Sequence, residues 1–296
     1  MTGSAVPRQL LGRELKVLRE RSGISATDAA RSIEVSPQTL WRIESGQPGP
    51  KLKELYVHVL CQMYGATEAV TTALTSLVVE TRRPCWWHQF EDVVPEHAAL
   101  RMDLEWAAER ITVFRPDLIP DLLQIPEYQR ELAHVEVPGR SVHEVDRMIE
   151  VVHRRGERLR NSPSCLVFRA LVCETALHNP VGDVRVMRNQ LEHLLTAGEM
   201  PNVSIRIVPQ CIGRYPGLLT GPFDLMEFPV RPMSQLVEPP VVYVPGYVTA
   251  QYLDREQQTA RYRAAIAEIQ RVALDDEASR QLLLDLSCAQ PGGLET

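Results

Sequence analysis

Apolar residues recur three or four positions apart through the first eighty residues. The stripes are Leu11, Leu15 and Leu18; Ala29, Ala30 and Ile33; Leu40 and Ile43; Leu52, Leu55 and Val59; and Val70, Leu74 and Leu77. That spacing is the inward face of an amphipathic helix, so the pattern predicts five short helices in succession. The second runs from about Ala26 to Ile33, with Ser25 as N-cap and small alanines that let another helix come close. The third opens at Ser36, whose hydroxyl caps free N–H groups, with Pro37 at the first helical position where a missing N–H costs nothing. Leu40 and Ile43 then face inward, which leaves Gln38, Thr39, Trp41 and Arg42 outward or on the flank. An exposed helix face bearing an amide, a hydroxyl and a guanidinium can hydrogen-bond base edges in a major groove. An αα-hairpin with a polar outer face that binds nothing is the alternative. For Trp41, packing against the fourth helix is the expectation, ahead of contact with a sugar or a thymine methyl.

Helical periodicity stops at Thr81-Arg82-Arg83-Pro84, and an aromatic segment follows, Cys85-Trp86-Trp87-His88-Gln89-Phe90. The expectation is that this stretch packs the linker onto the second domain, as bulky aromatics near a boundary do; a ligand or partner patch is the alternative. Two domains follow from this break, residues 8–80 and 84–290. From about Glu96 the pattern alternates between periods. Ala99 to Glu109, Val142 to Arg160, Val184 to Ala197, Arg255 to Ala273 and Ala278 to Leu286 read as helices, the third with Val184, Met187, Leu191, Leu194 and Leu195 inward. Ile111 to Phe114, Cys165 to Cys173, Asn202 to Val208, Phe223 to Phe228 and Val241 to Val244 read as strands. Strand, helix, strand over Cys165 to Val208 predicts a parallel pair joined by a crossover. The expected class is a mainly α N-terminal domain of five helices plus a C-terminal α+β (α/β-like) domain with a mixed sheet.

Composition changes this picture little. Hydrophobic content of 44% and charged content of 24% are ordinary for a globular chain. No run approaches the ~20 apolar residues of a membrane span, and the first residues lack the apolar core of a signal peptide, so a cytoplasmic location without membrane contact is expected. Six cysteines (Cys61, Cys85, Cys165, Cys173, Cys211, Cys288) are scattered without a CxxC pair, and read as small buried hydrophobes with no metal or cofactor implied. Charge matters more. Residues 1–60 hold nine Lys/Arg against six Asp/Glu, a balance of +3, and the whole chain is −6, which leaves −9 for residues 61–296. Phosphate neutralisation supplies most non-specific affinity for DNA, so a +3 domain tethered to a −9 body binds weakly as a monomer. Two copies on a twofold-symmetric site compensate, so a homodimer is expected.

Leu11-Gly12, Leu15, Leu18-Arg19, Gly23-Ile24-Ser25, Ala30, Val35-Ser36, Thr39-Leu40, Arg42-Ile43-Glu44-Ser45-Gly46 and Pro50 together resemble the XRE family, the lambda-repressor-like five-helix domain. The resemblance implies DNA binding, with Gln38 and Arg42 reading bases and Ser36 and Thr39 nearer the backbone. Ser36, Gln38, Thr39, Arg42 and Gln47 form the candidate DNA-binding set. Two positions depart from the family. Ala26 stands where a phosphate-bracing glutamine is usual, and Glu34 stands in the turn where glycine is frequent because it adopts positive φ cheaply.

The second half also resembles a family. Ile119-Pro120, Leu122-Leu123-Gln124, Pro126-Glu127-Tyr128, Glu174, Pro180-Val181-Gly182, Met187, Gln190-Leu191, Pro201-Asn202-Val203, Ile207-Val208-Pro209, Gly221-Pro222-Phe223 and Val241-Val242-Tyr243-Val244 look like the C-terminal domain of unknown function of actinobacterial XRE-type regulators. Pro245 departs, standing where an acid is common. Such regulators typically neighbour a gene for a small protein, so an antitoxin-like pairing with that product is implied. A small-molecule effector is a further expectation.

An enzyme would need a nucleophile with a base, paired carboxylates or metal ligands. The chain has no GxSxG, HExxH, P-loop or GxGxxG pattern. His178 and His193 are the nearest approach to a histidine cluster and read as surface or capping residues, His193 on the more polar side of its helix. Glu174 falls at a strand end where α/β sheets place ligand groups, which fits a bound ligand as well as catalysis. The expectation is therefore a non-enzymatic, sequence-specific DNA-binding transcriptional regulator whose C-terminal domain senses a ligand or binds a small partner protein. The alternative is an antitoxin-like or scaffold protein that acts mainly through that partner.

Overall fold

The computed structural model describes residues 5–47, 52–82, 86–94, 96–136, 138–160, 166–229 and 238–289. The chain divides into two compact units, Met1–Gln89 with Ala98–Ala107 and Pro229–Glu238, and Phe90–His97 with Ala108–Phe228 and Pro239–Thr296.

The first unit opens with five helices: α1 (Ala5–Ser22), α2 (Ala26–Ser32), α3 (Pro37–Glu44), α4 (Glu54–Met63) and α5 (Glu68–Thr81). Ser25, Ser36 and Thr67 are N-caps, their hydroxyls accepting from the backbone N–H groups of Asp28, Thr39 and Val70. Each such cap stabilises its helix by about 1 kcal/mol. Leu11, Leu15, Leu40, Leu60 and Leu74 meet in one core with no accessible surface, and each contributes about 1.5–3 kcal/mol. The fourth stripe needs correction. The helix starts only at Glu54, so Leu52 packs from the residues just before it and does not set its phase. Val57, Leu60 and Cys61 face inward, while Leu55 is 66% exposed. A 3-10 turn, Trp86–Phe90, and α6 (Glu96–Ala107) follow, of which Phe90 and the first two residues of α6 are assigned to the second unit. Trp87 and Phe90 are buried, and Trp86 lies 5.7 Å from Trp87 and 6.3 Å from Trp106 between ring centroids; these three tryptophans belong to the first unit, whereas packing onto the second domain is the expectation from sequence. Arg83, Pro84 and Cys85 of the expected boundary lie outside the described residues, as do Pro50 and Lys51.

In the second unit, β1 (Arg110–Arg115), a 3-10 turn (Asp121–Leu123), α7 (Pro126–Glu136), α8 (Val142–Arg160), β2 (Val167–Cys173), α9 (Glu174–His178), α10 (Val184–Gly198) and β3 (Val203–Val208) come first. There follow α11 (Gly217–Thr220), β4 (Phe223–Glu227), β5 (Val241–Val244), β6 (Gln251–Leu253), α12 (Glu256–Val272) and α13 (Asp276–Ala289). The six strands form one mixed sheet in the order β3-β2-β1-β4-β5-β6. Strands β1, β2 and β3 are parallel, and β4 to β6 continue antiparallel from β1. The expected parallel pair with an intervening helix is β2–α10–β3.

Register separates the two faces. Phe114, Leu171, Phe223, Leu225 and Val242 lie on one, where Ile266 and Ile269 of α12 close the core. Arg206 holds the end of α12 in place, donating to the carbonyls of Gln270, Ala273 and Leu274. Ile111, Val113, Phe168, Ala170, Ile205 and Ile207 lie on the other face and are equally buried.

Several expectations are corrected here. Val184 is exposed because it is the first residue of α10, at the helix's open end, and Leu195 is only half-buried. Val186, Met187, Gln190, Leu191, Leu194 and Ala197 face inward. Cys61 and Cys173 are buried free thiols, whereas Cys211 and Cys288 are exposed. Cys85 and Cys165 lie outside the described residues. The three-residue β6 was not foreseen, being too short for alternation to show.

Candidate nucleic-acid interface

The geometry of the α2–turn–α3 pair follows from local sequence. Ile33 closes α2, and Glu34 takes φ +56°, the left-handed conformation that only glycine adopts without a steric penalty. Ser36 then caps α3, its Oγ 3.1 Å from Thr39 N and 2.9 Å from Thr39 Oγ1. The Thr39 hydroxyl is thus engaged at the helix start, and its residue is half-buried.

Three contacts position α3 against α1. At Gly12 a Cβ would stand 2.3 Å from Ile43 O and 2.8 Å from Glu44 O, so only glycine permits that approach. At Gly46 (φ +66°) a Cβ would stand 2.7 Å from Gln9 Cα. The third contact is a bidentate ion pair. Arg19 Nε and Nη2 lie 2.6 and 2.9 Å from the two carboxylate oxygens of Glu44, and Arg19 Nη1 donates to Ile24 O at 3.3 Å. Glu44 holds the Arg19 guanidinium above its ordinary pKa. Nearby, burial pushes the Tyr64 hydroxyl well up, and the Glu44 charge adds to that.

The outer face of α3 carries Gln38, Trp41 and Arg42, all exposed, with Gln47 exposed just beyond its end. Neither the Gln38 amide nor the Arg42 guanidinium has a side-chain partner among the described residues, in contrast to Arg31, which pairs with Asp28 at 2.7 Å. Trp41 corrects an expectation. It is 55% exposed, because the buried side of the helix is filled by Leu40, Ile43 and Glu44. The face therefore presents two amides, a guanidinium and an indole, with Ser36 and Thr39 at its N-terminal end.

Residues 99–285, more than half of the chain, match the family described as "Domain of unknown function (DUF5753)". The chain belongs to that family. Residues 10–74 of this DUF5753 chain match the description "Helix-turn-helix domain". No curated protein and no solved structure matches the chain. A helix-turn-helix domain ahead of a DUF5753 domain suggests a DNA-binding regulator, and no described helix of this DUF5753 chain is long and apolar enough to cross a membrane.

Residues singled out in its second domain have structural partners. Glu174 opens α9 and accepts from Gln210 N at 3.0 Å, bracing the chain beyond β3, and His178 Nε2 lies 3.5 Å from its other oxygen. Buried Cys173 Sγ and Tyr215 Oη are 3.4 Å apart, and burial raises both pKa values. His193 is half-buried rather than on a polar surface, and burial, then the Arg160 charge, lowers its pKa. Sequence reasoning missed the Arg19–Glu44 clamp and the buried pair Arg115–Asp224 (2.5 Å). A lone arginine or acid beside an apolar stripe is the only sequence signal either leaves.

Proposed function

We propose that the chain is a sequence-specific transcriptional regulator of the XRE type, which binds duplex DNA as a cytoplasmic homodimer. In this reading α3 enters the major groove, Gln38 and Arg42 read base edges, Ser36 and Thr39 lie nearer the backbone, and Gln47 completes the DNA-binding set. The C-terminal domain receives an effector or a small partner protein and shifts the population of dimer geometries that span two half-sites. No catalytic step belongs to this reading.

The supporting observation is the pair of unengaged side chains, Gln38 and Arg42, on a helix whose opposite side is fixed by Gly12 and by the Arg19–Glu44 clamp. Selection from random duplexes, followed by Arg42→Ala, is the test. The variant should lose about 1–3 kcal/mol on the selected site and far less on random DNA. Equal losses on both would reduce Arg42 to a phosphate contact.

A second reading, partner binding with DNA contact secondary, is favoured by a different observation. Leu219 and Tyr247 are 93% and 95% exposed, with Leu218 and Val248 beside them in sequence. These residues flank β4 and β5 at the end where Phe223 and Val244 lie, the end to which β1, β2 and β3 also run. A complex with the neighbouring gene's small product that forms without DNA, and that selects no duplex motif, would favour this reading.

A further inference from the structure

Within the second unit, α8, α10, α7 and the segment that enters α7 line an open cavity of about 260 Å³. Its walls are apolar: Leu122, Ile125 and Pro126 on one side, Ile149 and Val152 on the other. The α8 residues that line it, Ile149, Val152, His153, Gly156 and Arg160, fall on one helical stripe. Arg160 is the charged side chain among the lining residues. The imidazoles of His153 and His193 stand beside it, and no carboxylate lines the cavity among the described residues. Arg160 and His153 are exposed, so these polar groups mark its solvent side.

Three further observations say that the space is built. Gly156 sits mid-helix in α8, where glycine is unfavourable. Neither its φ nor crowding requires glycine, since an added Cβ would meet only Leu122 O, at an ordinary 3.7 Å. What glycine does there is leave room. The 122–126 wall is also pinned from behind. Gln190, wholly buried on α10, accepts from Ile125 N at 2.8 Å and donates to Leu123 O at 2.7 Å. Gln129, also on the lining, keeps a buried Oε1 with no hydrogen-bond partner among the described residues.

We propose that this cavity binds a small apolar organic acid, its hydrocarbon or aromatic body between α8 and the 122–126 wall and its carboxylate at Arg160 and the two histidines. The volume lies just below the range of about 300–1,000 Å³ usual for ligand pockets, which favours a compact acid over a long lipid. A guanidinium forms strong charge-assisted hydrogen bonds to a carboxylate, which gives acids their advantage over neutral analogues. The His193 imidazole, whose pKa is lowered by burial and then by the Arg160 charge, adds a hydrogen-bonding group beside that guanidinium. This proposal deepens the sensing role given above to the C-terminal domain, and only its regulatory meaning rests on that role.

Isothermal titration of the full chain, without DNA, tests it. The probes are octanoate and indole-3-acetate, with octanamide and indole-3-acetamide as neutral controls. At least one acid should bind about tenfold more tightly than its amide. Arg160→Gln should erase that difference and keep the weaker binding. Gly156→Leu should abolish binding of all four while the melting temperature shows an intact fold. Absence of binding by both acids, equal binding of acids and amides, or undiminished binding by a folded Gly156→Leu chain would overturn the proposal. If Gly156→Leu does not fold, the Arg160→Gln comparison decides alone. Because no DNA is present, failure here leaves the Arg42 test of DNA reading untouched, and the reverse also holds.

Discussion

Glu34→Gly isolates what the turn costs this helix-turn-helix. Glu34 is the one non-glycine residue at positive φ among the described residues, at +56°. An L side chain in that region costs about 1–2 kcal/mol, because Cβ crowds the following carbonyl oxygen. Glycine removes the clash and gives back about 0.4–1 kcal/mol through its freer unfolded chain, so a net gain of about 1 kcal/mol is expected. For a helical domain of this size that raises the melting temperature by about 4–8 °C. The same change removes a carboxylate from the turn that leads into α3. If a phosphate comes within about 8 Å, solvent-exposed repulsion at moderate salt is worth a few tenths of a kcal/mol, about twofold in affinity. Glu34→Gln separates the two effects, since it discards the charge and keeps the strain. Thermal unfolding and fluorescence anisotropy on duplex DNA, at two salt concentrations, read both. Glu34→Gly should be more stable than wild type and Glu34→Gln should not, while both bind DNA slightly better at low salt. A Glu34→Gly chain no more stable than Glu34→Gln would refute the strain argument.

Two further perturbations test contacts that position the sites. Glu44→Gln leaves the Arg19 guanidinium, 13% exposed, without its charged partner; unfolding of the first unit should become easier by about 3 kcal/mol, read by urea denaturation. Arg19→Met with Glu44→Leu, which replaces both charges by apolar groups, should recover most of that loss. Gln190→Ala strands Ile125 N and Leu123 O, so it should destabilise the second unit by about 2–4 kcal/mol and raise hydrogen exchange at Ile125. An unchanged exchange rate there would mean that the 122–126 wall is held by something other than Gln190.

What could be read in the sequence was whatever is local. Ser25, Ser36 and Pro37 announce helix starts because capping acts over three residues. The spacing of Leu11, Leu15, Leu40 and Ile43 gives the buried faces because a helix repeats every 3.6 residues. Glu34 stood out against the family pattern, and its φ bears the reasoning out. Phase failed where an element began late, as with Leu55 on α4, or where a residue opened its helix, as with Val184 on α10.

Long-range polar contacts were not legible, and they are what define both sites. Arg19 and Glu44 are 25 residues apart, and nothing in either helix's own period requires a charge to be buried. Gln190 shows the same limit more sharply. On a helix otherwise read by its apolar stripe, an amide looks like a surface residue, yet it is the group that satisfies two backbone atoms 65 and 67 positions away. Gly156 is the converse. A mid-helix glycine reads as a weakness in the sequence, and only the free space around its missing side chain gives it a purpose. The residues that fix where α3 can present Gln38 and Arg42, and those that keep the cavity open, therefore share one property. Each violates a local preference, through a buried charge, a buried amide or a helical glycine, and the compensation, a contact or a free space, is set by residues distant in sequence.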